Sequence, residues 1–371
     1  MPSATNSTPT VRVLVAGGSY AGLSVAVNLL DLNRGVSPRM HPEPFVFEED
    51  WPHVNFHITI VDERDGFLHI VGAPLALADS AYRDSAWVPF RDMMDLEDEN
   101  VTFVHGSLSH VDCATKTATV LRHGSKDATT IEYDYFCAAT GYRRVWPVRH
   151  IEEVARATHG VLVVGGGAVG IEMAAELKLT NPHVKVTLAH SRDQLLSSEG
   201  LSDECKDVSL ELLKEAGVEV LLNHRLESHA PVESENDESQ YRAKFTNGHT
   251  MDASAVIVGV SQSVPATDLM LPAEIPNAEF HYCAGDATKW SGIKRCGGAM
   301  RAGHLVAMNM HQHVLHSLTG HVPKYAELSE IPPMIVLAVG KKAVASGPHE
   351  TNAGEDVMKK FFSTDLYLAG E

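Results

Sequence analysis

The sequence runs to 371 residues, 44% hydrophobic and 21% charged, a balance that excludes a mostly disordered chain and allows two domains with buried cores. Its 48 acids against 30 Lys and Arg give a formal net charge of −18, a field that repels phosphate backbones and argues against nucleic acid as a partner. No apolar run reaches the ~18–20 residues of a membrane-spanning helix, and none of the five cysteines sits in a CxxC pair, so no transmembrane segment, structural zinc site or redox dithiol is expected.

The opening MPSATNSTPT is polar and lacks the charged-then-apolar profile of a secretory signal, and LYLAGE at the other end carries no retention or peroxisomal address. A cytoplasmic protein is the resulting expectation. Segment 11–30 reads as strand (VRVLVA), glycine turn (GGSYAG) and helix. Within the turn, Gly17, Ser19 and Gly22 occupy the GxGxxG frame, with serine at the middle position. The first glycine permits the tight turn, the middle residue must be small so that a pyrophosphate can approach, and the third lets helix pack on strand. With Gly18, Tyr20 and Ala21 this loop is a candidate phosphate cradle at a helix N-terminus. The alternative for this motif alone is a glycine turn without a ligand.

Residues 34–56 are rich in Pro, Arg, His and Glu without a period and read as a surface insertion. FHITIVDER is then a second strand ending in Asp62 and Glu63, about 40 residues past Gly22, where an acid can meet the adenosine ribose. Short alternating stretches from 101 to 135 read as β-strands.

At residue 161 the opening pattern restarts. VLVVGGGAVGIEMAAELKL is strand, turn and helix, with Gly165, Gly167 and Gly170 all in frame. The recurrence predicts two dinucleotide-binding units in one chain. An NAD-preferring unit would end its next strand with an acid; here Ala189, His190, Ser191 and Arg192 follow instead. Ser191 and Arg192 could accept a 2′-phosphate, which favours NADPH over NADH; a solvated loop arginine is the alternative. ESENDESQ reads as an exposed hairpin tip. Glycine-rich loops (YCAGD, KRCGGAM) lead into a helix at 299–317, and the last forty or so residues mix a strand (MIVLAVG) with a helix. His311, His313 and His316, spaced i, i+2 and i+5, do not share one helix face and read as solvated or capping histidines, so no metal site is expected. Neither GxSxG nor a P-loop is present, which leaves hydrolase and NTPase readings unsupported.

In this order the motifs resemble the apoptosis-inducing-factor-like flavoproteins, close to the mitochondrion-associated death inducer and ferroptosis suppressor group and its fungal members. ITIVDERDGFLHIVGAPLAL, YDYFCAATGYR, GGGAVGIEMAAEL with VTLAHSRDQLL, and YCAGDATKWSGIKRCGGAM carry the resemblance. It implies FAD in the first unit, with Leu108, Thr140 and Gly141 near the cofactor, Asp286 on the ribityl chain, and a helix beginning at Gly297, Gly298 and Ala299 aimed at the flavin pyrimidine ring. Pro74, with Gly72 and Ala73, stands where disulfide reductases carry paired cysteines. Glu172 is similar to a family glutamate near the nicotinamide and flavin; the alternative is a first-turn acid stabilised by the helix dipole. Two departures stand out, a short stretch from Pro265 to Gly285 and no glycine before the proline of MDASAVIVGVSQSVPAT.

The expected fold is α/β, with two Rossmann-like domains for FAD and NAD(P)H. The first FAD half covers 1–155, the NAD(P)H domain 156–258, the second FAD half 259–325 and a small α+β segment 326–371. The expected reaction passes hydride from NADPH (or NADH) to flavin N5, then electrons to a small acceptor such as a quinone. A redox-neutral or biosynthetic catalyst on the same scaffold, or a nucleotide-sensing protein without turnover, is the other reading.

Overall fold

The computed structural model describes residues 9–141, 154, 156–232, 240–260, 274–288, 295–329 and 332–362. All of the ESENDESQ tip except Gln240, residues 261–273 (the proline segment of MDASAVIVGVSQSVPAT and the first part of the short stretch from Pro265 to Gly285), the last two residues of YDYFCAATGYR, and residues 289–294 of the second FAD fingerprint therefore lie outside the described residues.

In chain order, β1 (Thr10–Ala16) leads into α1 (Tyr20–Asn33), then β2 (Asn55–Asp62) and β3 (Gly66–Leu68). Two short helices, α2 (Ala73–Ala78) and α3 (Ser80–Ser85), precede β4 (Trp87–Pro89). Next come β5 (Val101–Asp112), β6 (Thr117–Arg122), β7 (Ala128–Glu132) and β8 (Tyr135–Ala138). The pattern then repeats as β9 (Val161–Val164), α4 (Ala168–Thr180), β10 (Val186–Ala189), α5 (Asp203–Glu215) and β11 (Glu219–Leu221), followed by β12 (Leu226–Pro231), β13 (Tyr241–Phe245), β14 (Thr250–Ala253) and β15 (Ala255–Val258). The remainder is β16 (His281–Cys283), α6 (Cys296–Thr319), β17 (Ile335–Val339), β18 (Lys342–Ser346), β19 (Thr351–Gly354) and α7 (Glu355–Phe362).

The chain divides into two compact units. The first comprises Met1–Leu68, Val88–Arg143 and Ser263–Glu330; the second comprises His69–Trp87, Arg144–Gln262 and Ile331–Glu371. In the first unit a seven-stranded sheet runs β16-β8-β1-β2-β5-β6-β7. Strands β16, β8, β1, β2 and the start of β5 are parallel, whereas β5, β6 and β7 pair antiparallel. The β-branched run Val11, Val13, Val15 with Phe56, Ile58 and Ile60 buries against α1 and α6, as parallel strands covered by helices require.

The second unit is built on a parallel sheet of order β11-β10-β9-β15 and a separate antiparallel β12-β13-β14. Its order copies β5-β2-β1-β8 of the first unit, and β12–β14 occupies the place in the chain that β5–β7 holds there. The duplication seen in the glycine motifs thus extends to whole sheets. The C-terminal β17-β18-β19 sheet also belongs to this unit. Its residues Ala338, Ala343 and Phe362 pack with Val71, Leu75 and Tyr82 from the α2–α3 stretch.

Two expectations need correction and one gains detail. Residues 34–54 are irregular and mostly exposed, as a surface insertion should be, and they are also tied down as a strap. Arg39 is hydrogen-bonded and ion-paired to the buried Asp31 at 3.0 Å and ion-paired to Asp95 at 2.6 Å, and Phe45, Phe47 and Trp51 pack on the core beside His311. Apolar rings placed without a helical or strand period gave no sign of this. His311 is accordingly only 4% exposed, so the solvated or capping description fails for it, while His316 does cap the carbonyl of His321 at the end of α6. Helix α6 also begins three residues earlier than expected, because Cys296, Gly297 and Gly298 are already helical.

Candidate functional site

The first turn is shaped by the chain's own sterics. Gly17 has φ +110°, and a Cβ there would lie 2.4 Å from the Ala139 carbonyl oxygen. A Cβ on Gly22 would lie 1.9 Å from the Gly17 carbonyl oxygen. Both contacts are with backbone, so neither position accepts another residue without moving strand or helix. Gly18 lies under the Phe90 ring, which stacks on Phe103 at 4.6 Å. Its N–H donates to Asp62 Oδ2 at 2.7 Å. Asp62, 8% exposed, also accepts from the Arg64 backbone N–H and Nε. Glu63 accepts from Ser107 Oγ at 3.1 Å through its side chain.

The second turn repeats this construction atom for atom over most of its length. Gly165 has φ +117°, and its N–H donates to the Ala189 carbonyl at 2.8 Å, as Gly17 donates to Val61 at 2.8 Å. A Cβ on Gly170 would lie 1.8 Å from the Gly165 carbonyl oxygen. Gly166, the counterpart of Gly18, donates its N–H to His190 Nδ1 at 3.0 Å. His190 thus holds the place of Asp62. Because its Nδ1 accepts, the proton sits on Nε2, which donates to Ser197 Oγ at 2.9 Å. Burial, and to a lesser degree Arg192, pulls its pKa below the usual histidine range, so the ring is neutral. Arg192 is exposed and donates to the Ser197 carbonyl at 3.0 Å; Ser191 lies beside it, half-buried.

Gly167 and Gly297 differ from the frame glycines Gly17, Gly22, Gly165 and Gly170. A Cβ on either would meet nothing within 4 Å, so the protein itself gives no reason for glycine there. Both sit at the mouth of a helix. Ser19 and Gly167 are the N-caps of α1 and α4, Gly297 is in the first turn of α6, and all three helices begin with no side-chain cap and no first-turn acid. Of the other helices, α3 is capped by Asp79 and α5 by Ser202 with Asp203 and Glu204 in its first turn, whereas the six-residue α2 is also uncapped and starts on Ala73 and Pro74. Three uncapped N-termini beside small residues offer N–H donors and partial positive charge to anionic groups. The residues present therefore fit a diphosphate at each turn.

In the first unit the candidate residues Ser19, Tyr20, Ala21, Thr140, Gly141, Asp286, Gly297, Gly298 and Ala299 cluster around this edge of the sheet. Ala139, which precedes Thr140, donates to Ala16 at the end of β1, Gly285 packs on Ala21, and Tyr20 meets Phe67 edge-on at 5.0 Å. Leu108 lies on β5 opposite Val120. Helices α1 and α6 cross where a Cβ on Gly303 would lie 2.3 Å from the Ala21 carbonyl oxygen. Two polar rungs bind the crossing. Ser24 Oγ donates to the Met300 carbonyl at 2.7 Å, and His304 Nδ1 is 2.9 Å from Asn28 Oδ1. Pro74 is on α2, which belongs to the second unit.

Glu172 is the fifth residue of α4, beyond the first turn, which removes the alternative of a first-turn acid stabilised by the dipole. It accepts from the Ala338 backbone N–H at 3.3 Å. Burial first, then the neighbouring Glu176 and Glu199, pushes its pKa up to about 8. Glu176, 3% exposed, is pushed up to about 7 by burial. Sequence reading missed Glu176, although an acid at i+4 from Glu172 on an otherwise apolar helix was the signal. It also missed Ser197, for which no sequence signal existed, because its partners are set by the fold-back of the loop. Among the described residues no cluster of His, Cys, Asp or Glu could hold a metal, and no helix is long and apolar enough to cross a membrane.

Residues 11–273 match the pyridine nucleotide-disulphide oxidoreductase family. The chain is 41% identical over 404 residues to an oxidoreductase, OXR1, of Ajellomyces capsulatus, covering 98% of this chain and 87% of that protein. It is 26% identical to ferroptosis suppressor protein 1 of Xenopus tropicalis over 58% of this chain and 53% of that one, so it spans about half of that relative. Among solved structures, the sulfide:quinone oxidoreductase of Aquifex aeolicus superposes with a TM-score of 0.65 at 18% identity, covering 96% of this chain and 92% of that one. An engineered water-forming NADPH oxidase bound to NADPH gives 0.65 at 18% identity, covering 90% and 74%. At these identities the structural likeness speaks to the fold, which is that of two-dinucleotide-binding flavoprotein reductases.

Proposed function

This chain belongs to the pyridine nucleotide-disulphide oxidoreductase family and is an NAD(P)H-dependent flavin oxidoreductase; on that premise we propose that it binds FAD at the first turn and NADPH, in preference to NADH, at the second, and reduces a small quinone-like acceptor. The observation carrying this reading is the set of three uncapped helix N-termini, each flanked by a residue small enough for close approach. Bound FAD would supply the two-electron chemistry between the nicotinamide and the acceptor.

The protein's part is binding, orientation and charge. The first turns of α1 and α4 take the two diphosphates, and Gly167 leaves its side of the second turn open. Asp62 and Glu63 would serve the adenosine ribose of FAD, Leu108, Thr140 and Gly141 would line its site, and Asp286 would meet the ribityl chain. The first turn of α6, with Gly297, Gly298 and Ala299, stabilises negative charge on the flavin ring, an effect worth up to ~2 kcal/mol in a partly buried setting. Glu172, whose pKa burial raises to about 8, would serve as a proton-holding group beside the nicotinamide. Ser191 and Arg192 meet the 2′-phosphate of NADPH. The quinone-like acceptor rests on the sequence resemblance alone.

Purified protein is expected to be yellow and to bleach when NADPH is added without oxygen. A colourless preparation that releases no flavin on denaturation would refute the FAD reading. Colour that never bleaches would favour a scaffold without turnover. Reoxidation against a panel of quinones and oxygen then identifies the acceptor class.

A further inference from the structure

The loop after β10 folds back over the second glycine turn and occupies both backbone polar groups of Gly166, which lies between the first two frame glycines. Gly166 gives its N–H to His190 Nδ1 at 3.0 Å and its carbonyl to the Leu196 N–H at 2.8 Å. The fit is close: a Cβ on Gly166 would lie 2.6 Å from Leu195 Cδ2 and 2.7 Å from His190 Cγ. The return is made with Leu196 at φ +52°, in the left-handed region. Ser197 ends this fold-back and makes two contacts with the strand-end residues. Its Oγ is 2.9 Å from His190 Nε2, and its carbonyl accepts from Arg192 Nη1 at 3.0 Å.

These contacts change the role of His190. Both ring nitrogens are engaged inside the protein, one by Gly166 and one by Ser197, so the ring has no free nitrogen for a ribose or a phosphate. Arg192 is in the opposite position. One of its five donors is committed to Ser197, which fixes the direction of a planar fork whose remaining donors suit a phosphate.

We infer that Ser197 is a positioning residue for cofactor choice: its hydroxyl locks His190 as a neutral strut under the turn, and its carbonyl holds the Arg192 guanidinium ready for the 2′-phosphate of NADPH. This rests on the reading that the second turn takes NADPH. A guanidinium oriented in advance loses less freedom when the phosphate arrives, so the benefit falls on NADPH and not on NADH, which lacks that group.

The test is titration of the intact protein with NADPH and with NADH, followed by quenching of protein fluorescence, for the wild type, Arg192→Ala, Ser197→Ala and Ser197→Thr. Arg192→Ala is expected to weaken NADPH about tenfold or more, as loss of a charge-assisted contact does, and to leave NADH within about twofold. Ser197→Ala keeps the carbonyl but removes the hydroxyl bond to His190 that fixes its place, so the Arg192 guanidinium is less well oriented. NADPH is then expected to weaken about fivefold, as loss of one neutral hydrogen bond does, again sparing NADH. Ser197→Thr, which keeps the hydroxyl, should restore the preference. A Ser197→Ala effect that is equal on the two cofactors, or absent while Arg192→Ala remains selective, overturns the inference and leaves the NADPH reading standing. A wild type without preference, together with an unselective Arg192→Ala, overturns the NADPH reading itself. If Ser197→Ala fails to fold, His190→Asn takes its place, since it can still accept from Gly166 but cannot reach Ser197; the same NADPH-selective loss is expected, and its absence counts against the inference.

Discussion

The two glycine turns share backbone, register and two of their three steric contacts, yet they differ in what accepts the middle N–H. At Gly18 the acceptor is the Asp62 carboxylate, itself held by Arg64. At Gly166 it is the neutral imidazole of His190, held by Ser197. One position at the end of the second strand therefore does the same structural job twice with opposite electrostatic results. A carboxylate there welcomes ribose hydroxyls and repels a phosphate, whereas an imidazole leaves the field to Arg192. On the NADPH reading proposed above, exchanging one hydrogen-bond acceptor for another sets cofactor preference without altering the turn.

The sharpest break of that parallel comes from the third glycine of each frame. Gly22→Ala and Gly170→Ala each drive a methyl into a carbonyl less than 2 Å away, and each is expected to destabilise its unit by several kcal/mol, on the order of the strongest single-site effects. The two should separate by ligand: Gly22→Ala abolishes bound flavin absorbance, while Gly170→Ala keeps more of it and loses NADPH binding. Identical losses from both would show that the turns are not independent sites.

Next in size are the acceptors. Asp62→Ala leaves the buried Gly18 N–H and Arg64 without their partner and should cost about 1–3 kcal/mol; His190→Ala removes a neutral bond and should cost about 1 kcal/mol. Denaturant titration of the two variants measures the difference, and a larger loss at His190 would contradict the charged-versus-neutral contrast.

Titration supplies a subtler separation. Glu172 and Glu176 on α4 have folded pKa values raised to about 8 and about 7 from 4.5. The folded state then holds more protons than the unfolded chain over that interval, so stability falls as pH rises from 4.5 through about 8. His304 and His311 on α6 have theirs lowered to about 4 from 6.5, chiefly by burial. Here the unfolded chain holds more protons, and stability falls as pH drops from 6.5 through about 4. Glu172→Gln is expected to raise the melting temperature above wild type at pH 8 by a few degrees and to flatten the alkaline limb. His311→Phe, which keeps the aromatic surroundings, should flatten the acid limb. Parallel limbs in variant and wild type would refute the assignment.

Smallest of all, Gly167→Ala and Gly297→Ala should leave the melting temperature of the ligand-free protein almost unchanged, since neither methyl meets a neighbour. Each should nonetheless weaken its own cofactor, Gly167→Ala the nicotinamide dinucleotide and Gly297→Ala the flavin. A thermal-shift series with and without added cofactor reads both quantities at once.

The sequence made the duplication and the two turns legible because their glycine spacing is imposed by local backbone contacts: Gly17 on Ala139, and Gly22 and Gly170 on carbonyls five residues earlier. It made the identity of His190 legible but not its role, which depends on Ser197 reaching back across the loop. The strap at 34–54 stayed hidden because Phe45, Phe47 and Trp51 find partners on α6, far along the chain. The pairing of residues 69–87 with the C-terminal sheet is nonlocal in the same way, and no periodicity records it.

The crossing of α1 and α6 has a consequence for biogenesis. The face of α1 carrying Ala21, Ser24 and Asn28 is closed largely by Met300, Gly303 and His304, with Gly285 on Ala21, and the outer strand β16 is also made late. During synthesis the whole second glycine turn and its sheet leave the ribosome before the first unit can be completed. The nascent amino-terminal portion must therefore wait with greasy surface uncovered, which makes it a client for chaperones and a point of failure when translation is truncated.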